Sequence, residues 1–321
     1  MASDAAPVTV AVVSWNTREL LRRCLRSFAA YAEDGLAEVW VVDNSSDDGS
    51  ADMVRTDFPW ARLVASNRNS GFGAAVNLVA ARTSSPWLIL ANADTAPRPG
   101  AIEALLGAAS GDPGAGVVAP RLVLPDGCTQ HSVFAFPTVP FTFLFNAGLF
   151  HLSSRLSDRL AIAGKWDSTR ARRVPWAVAA FLLVRRQAWD DVHGFDPGQW
   201  MYAEDLDLGW RMREGGWATR YEPRAVVDHH SAASTTQMWG PDPRPRWQRS
   251  TYGWMMRRFG PARTRAVALM NLAGTAARYV ALAPAARLAP ERWADHRRAL
   301  VPWIRSHLAG LGRRSSVERY R

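Results

Sequence analysis

The 321-residue sequence is long enough for one large folded domain with an appended region, and its hydrophobic fraction of 48% can fill a substantial core, which excludes global disorder. Two cysteines, Cys24 and Cys128, are too few for a disulfide framework. The residues before the first predicted strand lack the basic region of a signal peptide, and the apolar run Val8–Trp15 is too short to cross a bilayer. We therefore expect a cytoplasmic protein that is neither secreted nor membrane-spanning.

The net charge of +10 is unevenly distributed along the chain. Residues 240–321 contain 17 arginines and four acidic residues, whereas residues 1–239 carry a net charge of −3. The basic tail also contains Trp247, Trp254, Trp293 and Trp303. Basic segments with tryptophans are typical of extensions that bind an anionic surface, and a slightly acidic body argues against a domain that reads nucleic acid. A solvated arginine-rich helical face is the alternative.

The first hundred residues alternate predicted strands and helices. Strands are predicted at Val8–Trp15, Glu38–Asp43, Arg62–Ser66 and Trp87–Ala91, and helices after Asn16, at Ala51–Asp57 and at Gly73–Arg82. Asn16 is placed to cap the first helix. Nearly continuous apolar strands separated by helices predict an α/β fold with a mainly parallel central sheet.

The second half is less regular. We predict a strand at Val178–Val184, a short helix near Gln187–Val192, a helix at Ala203–Glu214, a strand at Val226–His229, a linker at Gly240–Arg246, and helical structure at Trp247–Leu288. The sequence therefore divides into an α/β domain at 1–239, with halves at 8–100 and 101–239, and a basic helical extension at 240–321.

Polar residues follow three of the predicted strands: Trp15 and Asn16, Asp43 and Asn44, and Asn92 and Asp94. Ligands of such sheets bind beyond the carboxyl ends of the strands, so these residues should converge. Asp94 could hold a divalent cation against a diphosphate, because hard cations prefer oxygen ligands and take few from protein; capping the next helix is its alternative role. Asp43 could accept hydrogen bonds from a nucleoside, or it could shape its own turn.

A glycine-containing stretch, Asn67–Asn77, superficially resembles a dinucleotide-binding loop. Val76 occupies the position of the third glycine, so we reject a dehydrogenase. Gly71 and Gly73 more plausibly let the backbone approach a ligand closely, with Asn67 and Asn77 as polar contacts.

Three acidic residues, Glu204, Asp205 and Asp207, open a predicted helix. The helix dipole favours acids there without any function, but a helix start is also a rigid mount for a general base. Because successive helical residues point about 100° apart, only one of Glu204 and Asp205 can face a given substrate. His229 and His230 end a strand, where a neutral imidazole could complete a metal shell.

Taken in order, these pieces resemble family 2 of the glycosyltransferases, in particular its rhamnosyltransferase-like branch with a GT-A fold. The resemblance is carried by residues 12–28, 41–54, 67–77, 87–95, 181–217 and 226–234. Two departures are Ala91, where leucine is usual, and Ala179, where glycine is common in the segment that faces the acceptor.

The resemblance implies roles for individual residues. It implies a donor site formed by Trp15, Asn16, Asp43, Asn67, Gly71, Asn77, Asn92 and Asp94. Asp94 would carry the metal with His229 as a further metal or phosphate ligand, and Asp205 would be the general base. Glu204 would then orient the acceptor or support the loop, and Asp207 would make a structural hydrogen bond.

The expected activity is therefore inverting transfer of a sugar from a dTDP- or UDP-sugar, with Mg²⁺ or Mn²⁺ as cofactor and dTDP-rhamnose as the leading donor. A polyprenyl-linked glycan acceptor in cell-surface polysaccharide or cell-wall synthesis would explain a basic tail at the inner face of the plasma membrane. Tailoring of a soluble natural product is the alternative. A sugar nucleotidyltransferase would need a glycine-rich first loop, and a nucleic-acid-binding protein would leave the acidic elements unexplained.

Overall fold

The computed structural model describes residues 6–230 and 244–313, which form two compact units. The first unit comprises Met1–Ala135 and Ala161–Met238, and the second comprises Phe136–Leu160 and Trp239–Arg321. Residues 136–160 thus cluster with the C-terminal helices. The division predicted from the sequence placed them in the domain at 1–239 instead. The predicted linker Gly240–Arg246 lies partly outside the described residues, and its last three residues begin a helix.

The first unit contains eleven strands and six helices within the described residues. The strands are β1 (Val8–Ser14), β2 (Ala37–Asp43), β3 (Arg62–Ala65), β4 (Trp87–Asn92), β5 (Thr95–Pro97), β6 (Ala115–Val123), β7 (Val133–Phe134), β8 (Arg172–Val174), β9 (Trp176–Ala177), β10 (Phe181–Arg185) and β11 (Ala218–His229). The helices are α1 (Arg18–Glu33), α2 (Ser50–Asp57), α3 (Phe72–Ala80), α4 (Ala101–Ser110), α7 (Arg186–Asp191) and α8 (Glu204–Glu214), numbered along the whole chain.

The described strands form a nine-stranded sheet in the order β3-β2-β1-β4-β10-β6-β11-β5, with β8 paired to β11 and a separate β7-β9 ribbon. Strands β1, β2, β3, β4, β6 and β11 run in one direction, and β5, β8 and β10 run in the other. The predicted α/β architecture with a mainly parallel sheet is therefore confirmed.

Strand β1 is apolar along its length because helices cover both faces of the sheet. Val10 and Val12 face one core and Ala11 faces the other. On the first face, α1 buries Cys24 and Phe28, and the Phe28 ring stacks on Phe181 with 6.2 Å between centroids. Truncating such a ring to alanine typically costs about 3–5 kcal/mol, so this packing anchors α1. Burial also raises the pKa of the Cys24 thiol, as expected for a cysteine that acts as a small hydrophobe.

The strand predicted at Val178–Val184 begins later, at Phe181 in β10. Residues 178–180 leave the ladder because their backbone groups bond elsewhere. Ala179 donates its N–H to Asp205 at 3.3 Å, and the Ala180 carbonyl accepts the N–H of Asn92 at 2.8 Å. Strand β11 is longer than predicted, since its first residues pair with β6 and β8.

The described part of the second unit is helical, with α5 (Val139–Asn146), a short 3-10 turn (Leu149–Leu152), α6 (Ser154–Arg159), α9 (Arg244–Leu288), α10 (Pro290–Arg298) and α11 (Leu300–Leu311). Helix α9 breaks at Gly260, whose φ of 76° is left-handed, before Pro261 restarts it. Trp254 is only 2% exposed, so the expected interfacial tryptophan belt is wrong for this residue.

Candidate active site

The three predicted strand ends meet at one edge of the sheet. In the parallel ladders Ser14 is the partner of Asp43, and Val13 is the partner of Asn92. Because β2 and β3 lie to one side of β1 and β4 lies to the other, the strand order reverses between β1 and β4. This reversal opens a crevice in which doubly wound sheets bind ligands.

The loop after β2 is fastened to the end of β1 through Asn16. Its backbone N–H donates to Ser46 Oγ at 3.0 Å, and its Oδ1 accepts the N–H of Asp47 at 2.9 Å. Asn16 has a left-handed φ of 51° and does not cap α1, which corrects the prediction. Asp48 takes that role from across the loop, because its Oδ2 accepts the Arg18 N–H at 2.8 Å.

Asp43, at the end of β2, is 3% exposed and bonds within its own turn. Its carboxylate accepts the backbone N–H of Ser46 at 3.2 Å and a short bond from the Ser46 hydroxyl. The turn-shaping role foreseen for Asp43 is thus present, and nucleoside binding stays a prediction. Trp15, which follows β1, and Asn92, which ends β4, are half-buried.

Asp94 and His229 meet because β5 pairs antiparallel with β11, which places His229 opposite Thr95. The distance from Asp94 Oδ1 to His229 Nε2 is 3.3 Å. The Asp94 Oδ1 atom is buried and accepts no hydrogen bond. His230 turns away, since its ring contacts Arg23 while its backbone N–H donates to the Asp94 carbonyl at 2.9 Å.

Gln130 fixes the tautomer of His229. Its Oε1 lies 2.6 Å from His229 Nδ1 and can accept a proton from it, because an amide oxygen only accepts. In the neutral imidazole with this tautomer, the lone pair of Nε2 faces the unbonded oxygen of Asp94. Two acceptor atoms side by side without a proton between them suit a divalent cation, and the outer hydrogen bond on the histidine is the usual support of a metal ligand.

No group of three or more His, Cys, Asp or Glu side chains suited to a metal occurs within residues 6–230 and 244–313. A cation at Asp94 and His229 would therefore take its remaining ligands from water and phosphate, as Mg²⁺ commonly does. The residues present fit a metal shared with a diphosphate.

Asp205 lies at the start of α8 and faces the segment between β9 and β10. Its Oδ2 accepts the Ala179 N–H at 3.3 Å, and its Oδ1 accepts the Leu206 N–H at 2.8 Å. Because the next residue, Ala180, bonds to Asn92 at the end of β4, two consecutive residues connect Asp205 to the strand that Asp94 follows. The side chain is half-buried, so it remains accessible.

Glu204 is more deeply buried than its neighbour, at 9% exposure, and its Oε2 has no hydrogen-bond partner. Burial raises the pKa of both carboxyls, and the charge of Asp205 raises the pKa of Glu204 further. The N–H donors from Leu206 and Ala179 oppose this rise at Asp205. Two adjacent acids with different environments can take different roles, with Asp205 ionised more readily than Glu204.

Asp207 has the structural role predicted for it. Its Oδ2 accepts a bond of 2.6 Å from Arg211 Nε, and the Arg211 guanidinium donates to the Gly194 carbonyl at 2.7 Å. Gly209 lets α8 approach β9 closely, because a Cβ there would lie 2.6 Å from that of Trp176. Helix α8 is thereby held firmly behind the two acids.

The residues just before these acids have a strained backbone. Tyr202 and Ala203 have left-handed φ values of 60° and 65°. Such conformations cost non-glycine residues about 1–3 kcal/mol each and concentrate at functional sites. The tight entry aims α8 so that its first residues lie against the 178–180 segment.

The glycine-containing stretch serves this entry loop. Gly71 has a φ of 85°, and a Cβ there would lie 2.3 Å from the Trp200 carbonyl oxygen. Asn77 Nδ2 donates to the Phe195 carbonyl at 2.9 Å, and its Oδ1 accepts the Phe195 N–H at 3.0 Å. We therefore correct the predicted donor contact of Asn77 to a structural role. Asn67 is exposed.

Sequence reasoning missed Gln130 because it lies in a loop 99 residues away from His229. It also missed Trp200, which packs over Gly71. Glycine readily adopts a positive φ and lets another backbone approach closely, so Gly71 itself was the feature of the sequence that could have indicated this contact.

Solved structures with the same architecture define the class of protein. The mannosyltransferase PcManGT from Pyrobaculum calidifontis, in complex with GDP-Man and Mn²⁺, matches with a TM-score of 0.58 and 18% identity over 95% of this chain and 86% of that chain. GalNAc-T7 with UDP, GalNAc and Mn²⁺ matches with a TM-score of 0.52 and 15% identity over 71% of this chain and 44% of that chain. The fold is that of the GT-A glycosyltransferases.

Sequence relatives narrow the class. Residues 9–174 match the family model "Glycosyl transferase family 2". The N-acetylglucosaminyl-diphospho-decaprenol L-rhamnosyltransferase of Mycobacterium tuberculosis is 34% identical over 73% of this chain and 78% of that protein. The rhamnosyltransferase WbbL of Escherichia coli is 38% identical over 18% of this chain and 22% of its own length. The chain belongs to glycosyl transferase family 2 and is a glycosyltransferase of its rhamnosyltransferase-like branch.

Proposed function

We propose that this glycosyltransferase moves rhamnose from dTDP-rhamnose to a hydroxyl of a polyprenyl-diphosphate-linked N-acetylglucosamine, with inversion, in cell-wall glycan synthesis. A UDP-sugar is the alternative donor. The relative with 34% identity, whose name states this acceptor and sugar, supports the choice.

The observation that carries the proposal is the approach of Asp94 Oδ1 to His229 Nε2 at 3.3 Å, with Gln130 Oε1 placed to accept from His229 Nδ1. Asp94 and His229 would hold Mg²⁺ or Mn²⁺, and the cation when bound would neutralise charge on the leaving diphosphate. The Mn²⁺ in the two similar solved structures supports a divalent cation. Trp15 and Asp43, at the ends of β1 and β2, would bind the nucleoside beside it.

Asp205 is the group best placed to take the proton of the acceptor hydroxyl. It is the more accessible of the two acids, and the N–H donors of Ala179 and Leu206 favour its ionised form. Glu204, buried and without a hydrogen-bond partner, would stay protonated and donate a hydrogen bond that orients the acceptor. A base acting on the side opposite the leaving diphosphate gives inversion.

The pre-mycofactocin glycosyltransferase of Mycobacterium tuberculosis favours a second candidate acceptor. It is 32% identical over 69% of this chain, although this chain spans only 42% of that protein. Tailoring of a soluble natural product is therefore the second candidate function. The basic C-terminal extension favours the lipid-linked acceptor, because a polyprenyl carrier lies at an anionic membrane surface, here the inner face of the plasma membrane.

The test is a transfer assay with the full-length protein. We expect product from dTDP-rhamnose and a short-chain polyprenyl-diphosphate N-acetylglucosamine with Mg²⁺ or Mn²⁺, and none with EDTA or with Asp94→Ala. Asp52→Ala, which removes an acid with an 85% exposed side chain, is the matched control and should remain active. Transfer only to soluble acceptors would support the second candidate. A donor affinity that is unchanged both by chelator and by Asp94→Ala would overturn the metal assignment.

A further inference from the structure

The second unit exposes apolar side chains to an extent that the first does not. Nine large hydrophobic side chains are exposed among the described residues, and only Trp60 belongs to the first unit. The other eight are Val139, Phe143, Phe145, Leu152, Leu269, Val280, Leu288 and Leu308. Apolar exposure that is confined to one unit marks an interaction surface, whereas scattered apolar residues are normal.

Six exposed apolar residues form a continuous stripe along α9: Leu269, Ala273, Ala277, Val280, Pro284 and Leu288. Their spacings of three and four residues keep them within about 100° of arc on an ideal helix. At about 1.5 Å per residue, the stripe is about 28 Å long. Leu288 is 87% exposed and Val280 is 68% exposed, so the stripe projects fully from the unit.

The opposite face of the same helix is polar and occupied. Asn271 Nδ2 donates to Tyr252 Oη at 3.1 Å, and its Oδ1 accepts from Asn146 Nδ2 at 2.8 Å. Thr275 Oγ1 lies 3.2 Å from His307 Nε2. The inward face of α9 therefore mixes polar residues with the buried Val267 and Ala268, while the stripe on its outward face is apolar, unlike the outward face of a helix in a water-soluble bundle.

One window of 18 residues in α9 has a mean hydropathy of 1.3 and is only 17% buried, so by length and composition this helix could cross a membrane. Crossing would carry the inward Asn271 and Thr275, together with the exposed Arg278, into hydrocarbon, where the bonded partners of the two inward residues would have to follow. An amphipathic helix instead lies in the plane of the interface.

The charge around the stripe selects an anionic partner. Arg263 and Arg265 precede it, Arg287 lies at its end, and α9 contains no acidic residue. The described part of the second unit carries 16 arginines and three acidic residues. Two copies of this face would repel each other, whereas anionic lipids would attract it, and arginines at the ends of an apolar stripe can reach the headgroups.

We propose that the stripe Leu269–Leu288 of α9 docks onto an anionic lipid membrane, with the helix lying in the plane of the headgroup boundary. The docking deepens the proposed function, on which it rests for the lipid-linked acceptor. It places the contact on aliphatic residues of α9 and not on the tryptophans that the sequence suggested.

The test is vesicle binding by the full-length protein and by Leu269→Gln/Val280→Gln, which removes apolar area without changing the charge. On vesicles of phosphatidylglycerol and phosphatidylcholine, the double variant should partition at least about tenfold more weakly, because two aliphatic side chains no longer leave water when the stripe enters the lipid. Trp60→Gln, at the exposed hydrophobic residue of the first unit, should bind like the wild type. Thermal melting should show that all three proteins are folded.

Equal binding by wild type and double variant, or no binding by the wild type, would overturn the docking surface. Self-association that the double substitution abolishes would also overturn it, by showing that the stripe contacts a second copy. Transfer to a water-soluble acceptor should be unchanged in the double variant, because the substitutions lie outside the catalytic unit. If docking fails while rhamnose transfer persists, only the surface is wrong; if docking holds without transfer, only the proposed function is wrong.

Discussion

The substitution Asp205→Asn tests the assignment of the general base most directly. The asparagine can keep the bond of 2.8 Å from the Leu206 N–H through its carbonyl oxygen, so the side chain should stay in place. Its amide group faces the Ala179 N–H, which then loses its acceptor, and the variant loses the basic atom. The shape of the site is preserved while proton removal is not.

The expected loss follows from the chemistry that the side chain provides. General-base catalysis contributes about 10²–10⁴-fold, which corresponds to about 3–5 kcal/mol of barrier. Turnover should fall by that factor, and donor affinity should hardly change because Asp43 ends β2 and Asp94 lies in the turn between β4 and β5, away from α8 in the sequence. Glu204→Gln, one residue away, is the matched variant and should lose less.

The dependence of turnover on pH separates a base from a merely structural acid. Burial raises the pKa of Asp205 above the ordinary aspartate value of about 3.9, so wild-type turnover should rise with pH through a displaced acidic limb. In Asp205→Asn that limb should disappear. Steady-state kinetics and nucleotide binding, measured together on folded proteins, decide the matter: if Asp205→Asn keeps near-normal turnover while Glu204→Gln loses it, the base is Glu204.

Two further predictions concern the surroundings of the site. Gln130→Leu should weaken Mn²⁺ binding by about 10–100-fold, measured by calorimetry in the presence of dTDP, because His229 loses the bond that sets its tautomer; Cys128→Ser in the same loop is the control, and unchanged affinity would contradict the role of Gln130. Glu204→Gln should stabilise the fold at neutral pH. The pKa of Glu204 is raised in the folded protein above its unfolded-state value of about 4.3, so the wild-type protein loses stability as the pH rises from that value through the folded-state pKa. Glutamine does not ionise, so the variant does not lose this stability. Melting temperatures should coincide near pH 4 and differ by about 2–4 °C at pH 8 for each 1 kcal/mol gained, whereas a variant that melts lower at both pH values would show that Glu204 is stabilising.

The sequence predicted those parts of the site that depend on local pattern. Asp43 and Asp94 were found because apolar strands end at polar residues, and the parallel ladder then brings such ends together. Asp205 was found because three acids open a helix. These inferences need only the pattern of apolar and polar residues along the sequence and the direction of the strands.

The parts that sequence missed depend on contacts between distant segments. Nothing local to Gln130 shows that it bonds to His229, and nothing local to Asn16 shows that Asp48 replaces it as the cap of α1. Residues 136–160 resemble an ordinary stretch of the catalytic domain, yet they pack with the C-terminal helices. An amide or an apolar run has several satisfactory partners, and tertiary structure selects among them.

Several unfavourable features of the first unit lie at the catalytic edge. Asp94 Oδ1 and Glu204 Oε2 are buried without hydrogen bonds, and Tyr202 and Ala203 are left-handed. Each feature costs free energy in the protein alone, and each carboxylate would be relieved by a ligand, a cation at Asp94 and an acceptor hydroxyl at Glu204. Around them, close packing at Gly209 and the bonds of Asp207 and Asn77 hold the elements in place. The scaffold maintains this geometry before any substrate binds, so no binding free energy is lost in ordering the two acids. A larger part of the binding free energy can therefore stabilise the transition state.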